Sequence, residues 1–459
     1  MQTTIDILQQ LFQNYESFKE TSISQRRFSH QQMQTVLEKY KSNRLFTFEK
    51  LGESFQQREI NLIKIGNGAT KILLWSQMHG NESTATAAIL DLFNLFTTSD
   101  KFDNLRHQIL NNLTLYFIPM LNPDGAEIFK RRNAQGIDIN RDARKQQTVE
   151  AQILLQVADK IKPAYGFNLH DQNPHYTVGR SKNPAAISFL APSFDYQKSV
   201  NTVRENAMKL IVALNKSLQM FIPNQVAKYN DDYSPRCFGD TMQSKGISTI
   251  LVESGWTFND FEKQIIRKLN FILLLHSFVS IAQTEHQNET IENYYAIKEN
   301  DEHFYDCIIR NAILEKDGKK FLADIGVMNT EIPSPNNSFT YKGTIDDIGD
   351  MADFFAWNDF DASGMVATAG KTFPQLIENL EQFKNLNVSE MLSNGFTTLR
   401  VNDEILKQVG NNIAVKLISR NENYQPAIQI DNIADFVLIK NDAVKFVFAN
   451  GKLNNCQII

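Results

Sequence analysis

Residues 76–87 read SQMHGNESTATA, and they join the apolar run ATKILLWSQ (69–77) to the helically spaced STATAAILDLFNLF (83–96). A short continuous apolar run bounded by turn residues predicts a buried strand, and apolar residues three and four apart predict a helix. The same alternation recurs outward from this point. LTLYFIPML (113–121), AYGFNLH (164–170) and STILVES (248–254) read as further buried strands, and VEAQILLQVADKI (149–161) as another helix. Buried strands alternating with helices predict a mixed, mainly parallel α/β sheet flanked by helices.

At 459 residues the chain is long for one core, so two domains are expected. Residues 1–54 are polar with apolar residues spaced for short helices (VLEKY, 36–40), which predicts a helical segment packed on a main domain at 55–285. The polar stretch QTEHQNETIENYYAIKEN (283–300) reads as a linker over 286–300. Beyond it, KKFLADIGVM, ASGMVATAGK, ADFVLIKND and AVKFVFANGKL alternate with Gly, Asn and Asp punctuation, and Asn450-Gly451 is a tight-turn pair. Residues 301–459 are therefore expected to form a mainly-β, sandwich-like accessory domain.

Composition narrows the class. A hydrophobic fraction of 42% with 22% charged residues is that of a soluble globular protein, and a net charge of −5 argues against nucleic acid as a partner. The start, MQTTIDILQQLFQNYESFKE, has no basic n-region, apolar h-region or small-residue cleavage site, so no secretory signal is expected. FILLLHSFVSIA (271–282) is too short to span a bilayer and reads as a buried helix, so no membrane partner is expected. Cys237, Cys307 and Cys456 are odd in number and far apart, which suits a reducing compartment. The expected location is cytoplasmic. Nothing in the sequence speaks to oligomeric state.

The chemistry-bearing residues fall at strand ends. A strand ending at Gln77 or Met78 delivers His79 into the crevice at its carboxyl end, where open α/β sheets place their ligands. Gly80 allows a sharp turn, and Glu82 then lies at the start of the next helix. An imidazole and a carboxylate so spaced can converge on one cation, and zinc accepts that donor mixture with three protein ligands and one open position. FNLHDQ places His170 at the end of another expected strand, which makes it the natural third ligand. Glu253, at the end of ILVES, follows a buried apolar run, where a carboxylate is costly unless paired or near a metal. A glutamate beside metal-activated water is what a hydrolase needs for proton transfer. Between the ligands lies NPDGAEIFKRRNAQGIDINRDAR (122–144), rich in arginines suited to binding carboxylates or stabilising an oxyanion.

Taken in order, HGNE, NPDG, RxNAQGxDxNRD, a strand-end histidine and VESG resemble the zinc carboxypeptidase family of metallopeptidases over roughly residues 55–285. The resemblance implies one zinc ion held by His79, Glu82 and His170, with Glu253 as general base and acid. It implies that Arg131, or its neighbour Arg132, polarises the scissile carbonyl, and that Asn140 and Arg141 grip the substrate's terminal carboxylate. Asp138 matches the carboxylate that hydrogen-bonds the first zinc histidine. The mobile tyrosine of the family corresponds to Tyr233 or Tyr229, with spacing preferring Tyr233. Its specificity position falls near Gly239 and Asp240, where a small residue beside an acidic one would suit a basic or amine-bearing side chain, while Arg236 argues for an acidic substrate instead.

The implied activity is metal-assisted hydrolysis of an amide bond next to a free carboxylate. The substrate is a peptide or a small acylated amino acid. A deacylase of N-acyl amino acids and a peptide-terminus binder without turnover are the alternatives, and trimming of D-amino-acid peptides also suits the family. The tail is similar to the β-sandwich segments that flank amidohydrolase barrels, without a barrel between them.

Overall fold

The four apolar runs expected as strands are the four adjacent central strands of one sheet in the computed structural model, which describes residues 4–409 and 413–456. In chain order the strands of the first unit are β1 (Phe46–Glu53), β2 (Glu59–Ile65), β3 (Thr70–Ser76), β4 (Leu113–Ile118), β5 (Tyr165–Asp171), β6 (Tyr176–Val178), β7 (Ile187–Leu190), β8 (Val226–Lys228), β9 (Ser248–Ser254) and β10 (Asn300–Glu302). The main sheet runs β1-β2-β4-β3-β5-β9-β7-β8. β4, β3, β5 and β9 are mutually parallel, whereas β1, β2 and β7 join antiparallel.

Helices cover both faces. They are α1 (Thr4–Gln13), α2 (His30–Lys41), α3 (Thr84–Thr97), α4 (Asp103–Asn112), α5 (Pro123–Glu127), α6 (Val149–Ile161), α7 (Thr202–Leu218), α8 (Phe238–Ser244), α9 (Gln264–Gln283) and α10 (Ile291–Tyr295). Alternate strand residues divide the core. Ile72, Leu74, Phe167, Leu169, Ile250 and Val252 pack with α3, α7 and α9, whereas Leu73 and Trp75 pack with α6 and α8. α2 starts at Ser29, whose hydroxyl accepts from Gln32 N while the Gln32 side chain accepts from Ser29 N. The N-terminal helices are locked down by Asp91 on α3, which accepts from Tyr15 Oη, Glu20 N and Arg267.

α9 is a 20-residue helix, long and apolar enough to cross a membrane by length and composition, and most of it is buried in this unit. Its burial is what the sequence predicts for residues 271–282.

Residues 286–300, expected as a linker, are folded into the first unit. Tyr294 is 1% exposed and its hydroxyl accepts from Ala191 N at 3.1 Å. His286 meets Tyr165 Oη at 2.8 Å, and β10 pairs antiparallel with β6. The stretch is polar on average because only a few residues, His286, Tyr294 and Ile297, turn inward. The first unit ends at Glu302 and the second begins at His303.

The second unit is strand-rich. Its strands are β11 (Phe304–Lys316), β12 (Lys319–Pro333), β13 (Phe339–Gly349), β14 (Phe355–Asp361), β15 (Val366–Ala369), β16 (Lys371–Thr372), β17 (Phe396–Val401), β18 (Lys416–Ser419), β19 (Phe436–Lys440), β20 (Ala443–Ala449) and β21 (Lys452–Asn455). The larger sheet runs β13-β12-β11-β15-β19-β20-β21 with β14 paired to β11. Phe436, Leu438 and Phe448 face one core. Val437 and Val447, on the other face, pack over the parallel β16-β17-β18 sheet and short helices at Leu380–Lys384, Val388–Ser393 and Asp403–Val409. Asn450 and Gly451 both take positive φ, the two-residue hairpin turn expected of that pair.

Candidate metal centre and active site

His79, Glu82 and His170 converge. His79 lies just beyond β3, Glu82 one residue before the Ser83 N-cap of α3, and His170 near the carboxyl end of β5. They are 2%, 6% and 2% exposed. His79 Nδ1 is 2.8 Å from Glu82 Oε1, His170 Nδ1 is 2.7 Å from Glu82 Oε2, and the two Nδ1 atoms are 3.2 Å apart. Among the described residues this is the one group of three or more His, Cys, Asp or Glu side chains placed to hold a metal ion.

The local backbone explains the convergence. Gln77, not Gly80, takes the positive φ of the turn after β3. Gly80 is needed for close approach instead: a Cβ there would fall 2.0 Å from the Gly125 carbonyl carbon on α5. Asn122 fastens the two segments, its Nδ2 donating to Met78 O and Arg131 O while its Oδ1 accepts from Gly125 N. HGNE and NPDG are thus one packed turn pair.

The donor set fits zinc. His79 Nε2–H donates to Asp138 Oδ1 at 3.0 Å, which turns the Nδ1 lone pair toward Glu82 and His170. Two imidazole nitrogens and a carboxylate gathered 2.7–3.2 Å from one another form the mixed nitrogen and oxygen donor set that zinc accepts. The field at the centre favours positive charge. Against the cost of burial, Glu82 and Asp138 raise the His79 imidazole to about 9. Burial opposes charge on Glu82 as well, yet His79 and His170 hold its carboxyl well below the usual range.

Arg131 belongs to the centre and Arg132 does not. Arg131 Nε donates to Asp138 Oδ2 at 3.0 Å, and its Nη1 lies 3.1 Å from His79 Nδ1 and 3.3 Å from Glu82 Oε1. Arg132 donates instead to Gly136 O on the exposed side of its loop. Glu253 is half-buried on β9 and paired with His170 on β5, so the two project from the same rung onto the α8 side of the sheet. Burial pushes its carboxyl well above the usual range, and the Glu82 charge adds to this. Asn140 and Arg141 follow Asp138. Asn140 Oδ1 accepts from Phe238 N, and Arg141 Nη1 donates to Asn140 O and Cys237 Sγ, which keeps the exposed guanidinium against the start of α8.

Residues 30–189 match the zinc carboxypeptidase family profile. That stretch is therefore similar in sequence to zinc carboxypeptidases. Carboxypeptidase SOL1 of Arabidopsis thaliana is 42% identical over 65 residues, 14% of this chain and 13% of that protein. Carboxypeptidase A2 of Mus musculus is 25% identical over 155 residues, 33% of this chain and 34% of that one. A metallo-carboxypeptidase from Burkholderia cenocepacia superposes with a TM-score of 0.47 at 15% identity, covering 56% of this chain and 70% of its own. The matched regions span 13% to 34% of the curated relatives' lengths.

The two candidate tyrosines are placed differently. Tyr233 packs edge-on against Tyr196 at 4.8 Å, and its strongest charged neighbour is Asp240. Tyr229 follows β8, hydrogen-bonds Tyr176 Oη at 3.3 Å, and is raised by burial first and by the Glu253 charge second. Tyr229 therefore lies within reach of the Glu253 charge. Gly239 faces Pro192 and Asn168, where an added Cβ would sit 3.1 Å and 3.6 Å from their nearest atoms. Burial raises the neighbouring Asp240 carboxyl to about 6. Two residues had no signal in the sequence reading: Asp171, directly after His170, and its partner Lys263, which bond at 2.9 Å beneath the metal centre.

Proposed function

We propose that this chain is a zinc-dependent carboxypeptidase that hydrolyses the amide bond next to a free carboxylate. The observation that carries the reading is the buried His79–Glu82–His170 cluster with Glu253 paired to His170 on the neighbouring strand of the sheet. One zinc ion held by that cluster would supply Lewis acidity at the scissile carbonyl. Asn140 and Arg141 bind the terminal carboxylate, the arginine through a two-pronged contact. Arg131 stabilises negative charge developing on the carbonyl oxygen, a role for a fixed cation in a partly desolvated site. Glu253 takes the proton from the attacking water and returns it to the departing amine. A carboxyl raised by burial is suited to both halves of that exchange.

The test is E253Q in the full chain. Zinc content should stay at one ion per chain, while hydrolysis of peptides with free C-termini falls by at least about a thousandfold, within the range for loss of a proton-transfer group. C-terminally amidated peptides should be poor substrates for the wild type. A substrate panel that includes N-acyl amino acids separates peptidase from deacylase. Near-normal turnover in E253Q defeats the assignment of the base.

A further inference from the structure

Lys263 lies on the loop between β9 and α9, outside the ligand set and outside the residues assigned to catalysis. It is 3% exposed and adopts a left-handed backbone, φ 52°, which a lysine rarely takes without a reason. Its ammonium donates to Asp171 Oδ2 at 2.9 Å and to Ser254 O at 2.9 Å, and stands 5.1 Å from the centroid of the Trp256 ring.

Those two acceptors occupy matching places. Asp171 follows His170 on β5 and Ser254 follows Glu253 on β9; Asp171–Ser254 is the final rung of the ladder, one step beyond His170–Glu253. Asp171 is itself a junction. Its backbone N–H donates to Glu82 Oε2 at 3.3 Å, and its Oδ2 also accepts from Thr84 Oγ1 at 2.5 Å at the start of α3. Its Oδ1 is buried with no hydrogen-bond partner. Ser254 Oγ in turn accepts from Asn270 Nδ2 on α9 at 2.9 Å. A single buried cation thus ties together the segments that carry Glu82, His170 and Glu253.

We propose that Lys263 is a positioning residue. It holds the ligand Glu82, through Asp171, in register with the base Glu253, through the Ser254 carbonyl, so that its loss costs turnover rather than substrate affinity. The inference rests on the carboxypeptidase reading. A long point-charge ammonium suits the task because it can donate to a carboxylate and a carbonyl at once.

The test uses the full chain with zinc bound. K263M alone leaves Asp171 as an unpaired buried carboxylate, so the charge-balanced double variant D171N/K263M is made beside it, together with K263R. In the double variant, melting temperature and zinc content should stay close to wild type, and KM for the best peptide should stay within about threefold. kcat should fall roughly 10–100-fold, the cost of displacing a catalytic group by a fraction of an ångström to an ångström. The visible spectrum of the cobalt-substituted protein should shift as Glu82 relaxes, a signature independent of turnover. K263R should recover part of kcat. A folded, metal-loaded double variant with wild-type kcat and an unchanged cobalt spectrum overturns the proposal and leaves the peptidase reading standing. A loss of kcat matched by loss of zinc and of melting temperature also overturns it, since Lys263 is then only structural. Failure of the zinc-loaded wild type to cleave any peptide in the panel overturns the underlying reading instead.

Discussion

The His79 ring is held from one side so that it can act on the other. Asp138 takes the Nε2–H, and the loop that delivers Asp138 is folded by Asn133, whose Oδ1 accepts from Gln135 N and Ile137 N. Removing the carboxylate frees the ring to turn and leaves Arg131 Nε without its partner. The D138A variant is therefore expected to bind zinc about 10–100-fold more weakly at fixed pH, as read by competition with a chromogenic chelator; unchanged affinity would mean that something else aims the ring. At this scale the sequence was informative where a residue ended a strand. His79, His170 and Glu253 each follow an apolar run, and strand ends point into one crevice. Lys263 was silent because it sits in a polar loop, TFNDFEKQ, and only the fold brings its ammonium back beneath β5 and β9.

Among the elements, the central strands and α9 were legible for the same reason: both are buried on all sides, so their sequences are nearly continuous apolar runs. Strands β6, β7 and β8 have three, four and three residues and no room for a pattern. α9 nevertheless carries His276, 6% exposed, with Nδ1 2.8 Å from Ser217 Oγ on α7. Burial lowers that imidazole to about 4. The unfolded chain takes up the proton near 6.5, so the contribution to stability is complete above that pH and is lost as pH falls from 6.5 toward 4. The loss is on the order of 3 kcal/mol. H276L removes the titrating group and leaves Ser217 Oγ its bond to Leu214 O. The drop in unfolding free energy between pH 7.5 and pH 4.5, measured by urea denaturation, should be smaller in H276L than in wild type by up to that amount; equal drops would show that His276 takes up its proton as readily in the folded protein as in the unfolded chain.

For the molecule as a whole, each unit has its own core. The two large clusters around the main sheet draw only on residues up to Ile297, and the clusters of the second unit begin at Tyr305. A fragment of residues 1–302 should therefore fold cooperatively and bind one zinc ion. A fragment ending at residue 285, where sequence polarity alone would cut, should not do as well. It lacks Tyr294, the His286 bond to Tyr165, the β10 partner of β6, and the backbone bonds from Lys228 N to Lys298 O and Gly179 N to Glu299 O. Deleting one buried aromatic side chain alone costs about 3–5 kcal/mol, against a total domain stability of about 5–15 kcal/mol. The shorter fragment should melt at least about 5 °C below the longer one and be cut faster by protease near β6 and β8, with calorimetry and limited proteolysis as the readouts. Equal melting temperatures would make residues 286–302 a tether after all, and the inward anchors at 286, 294 and 297 would carry no stability.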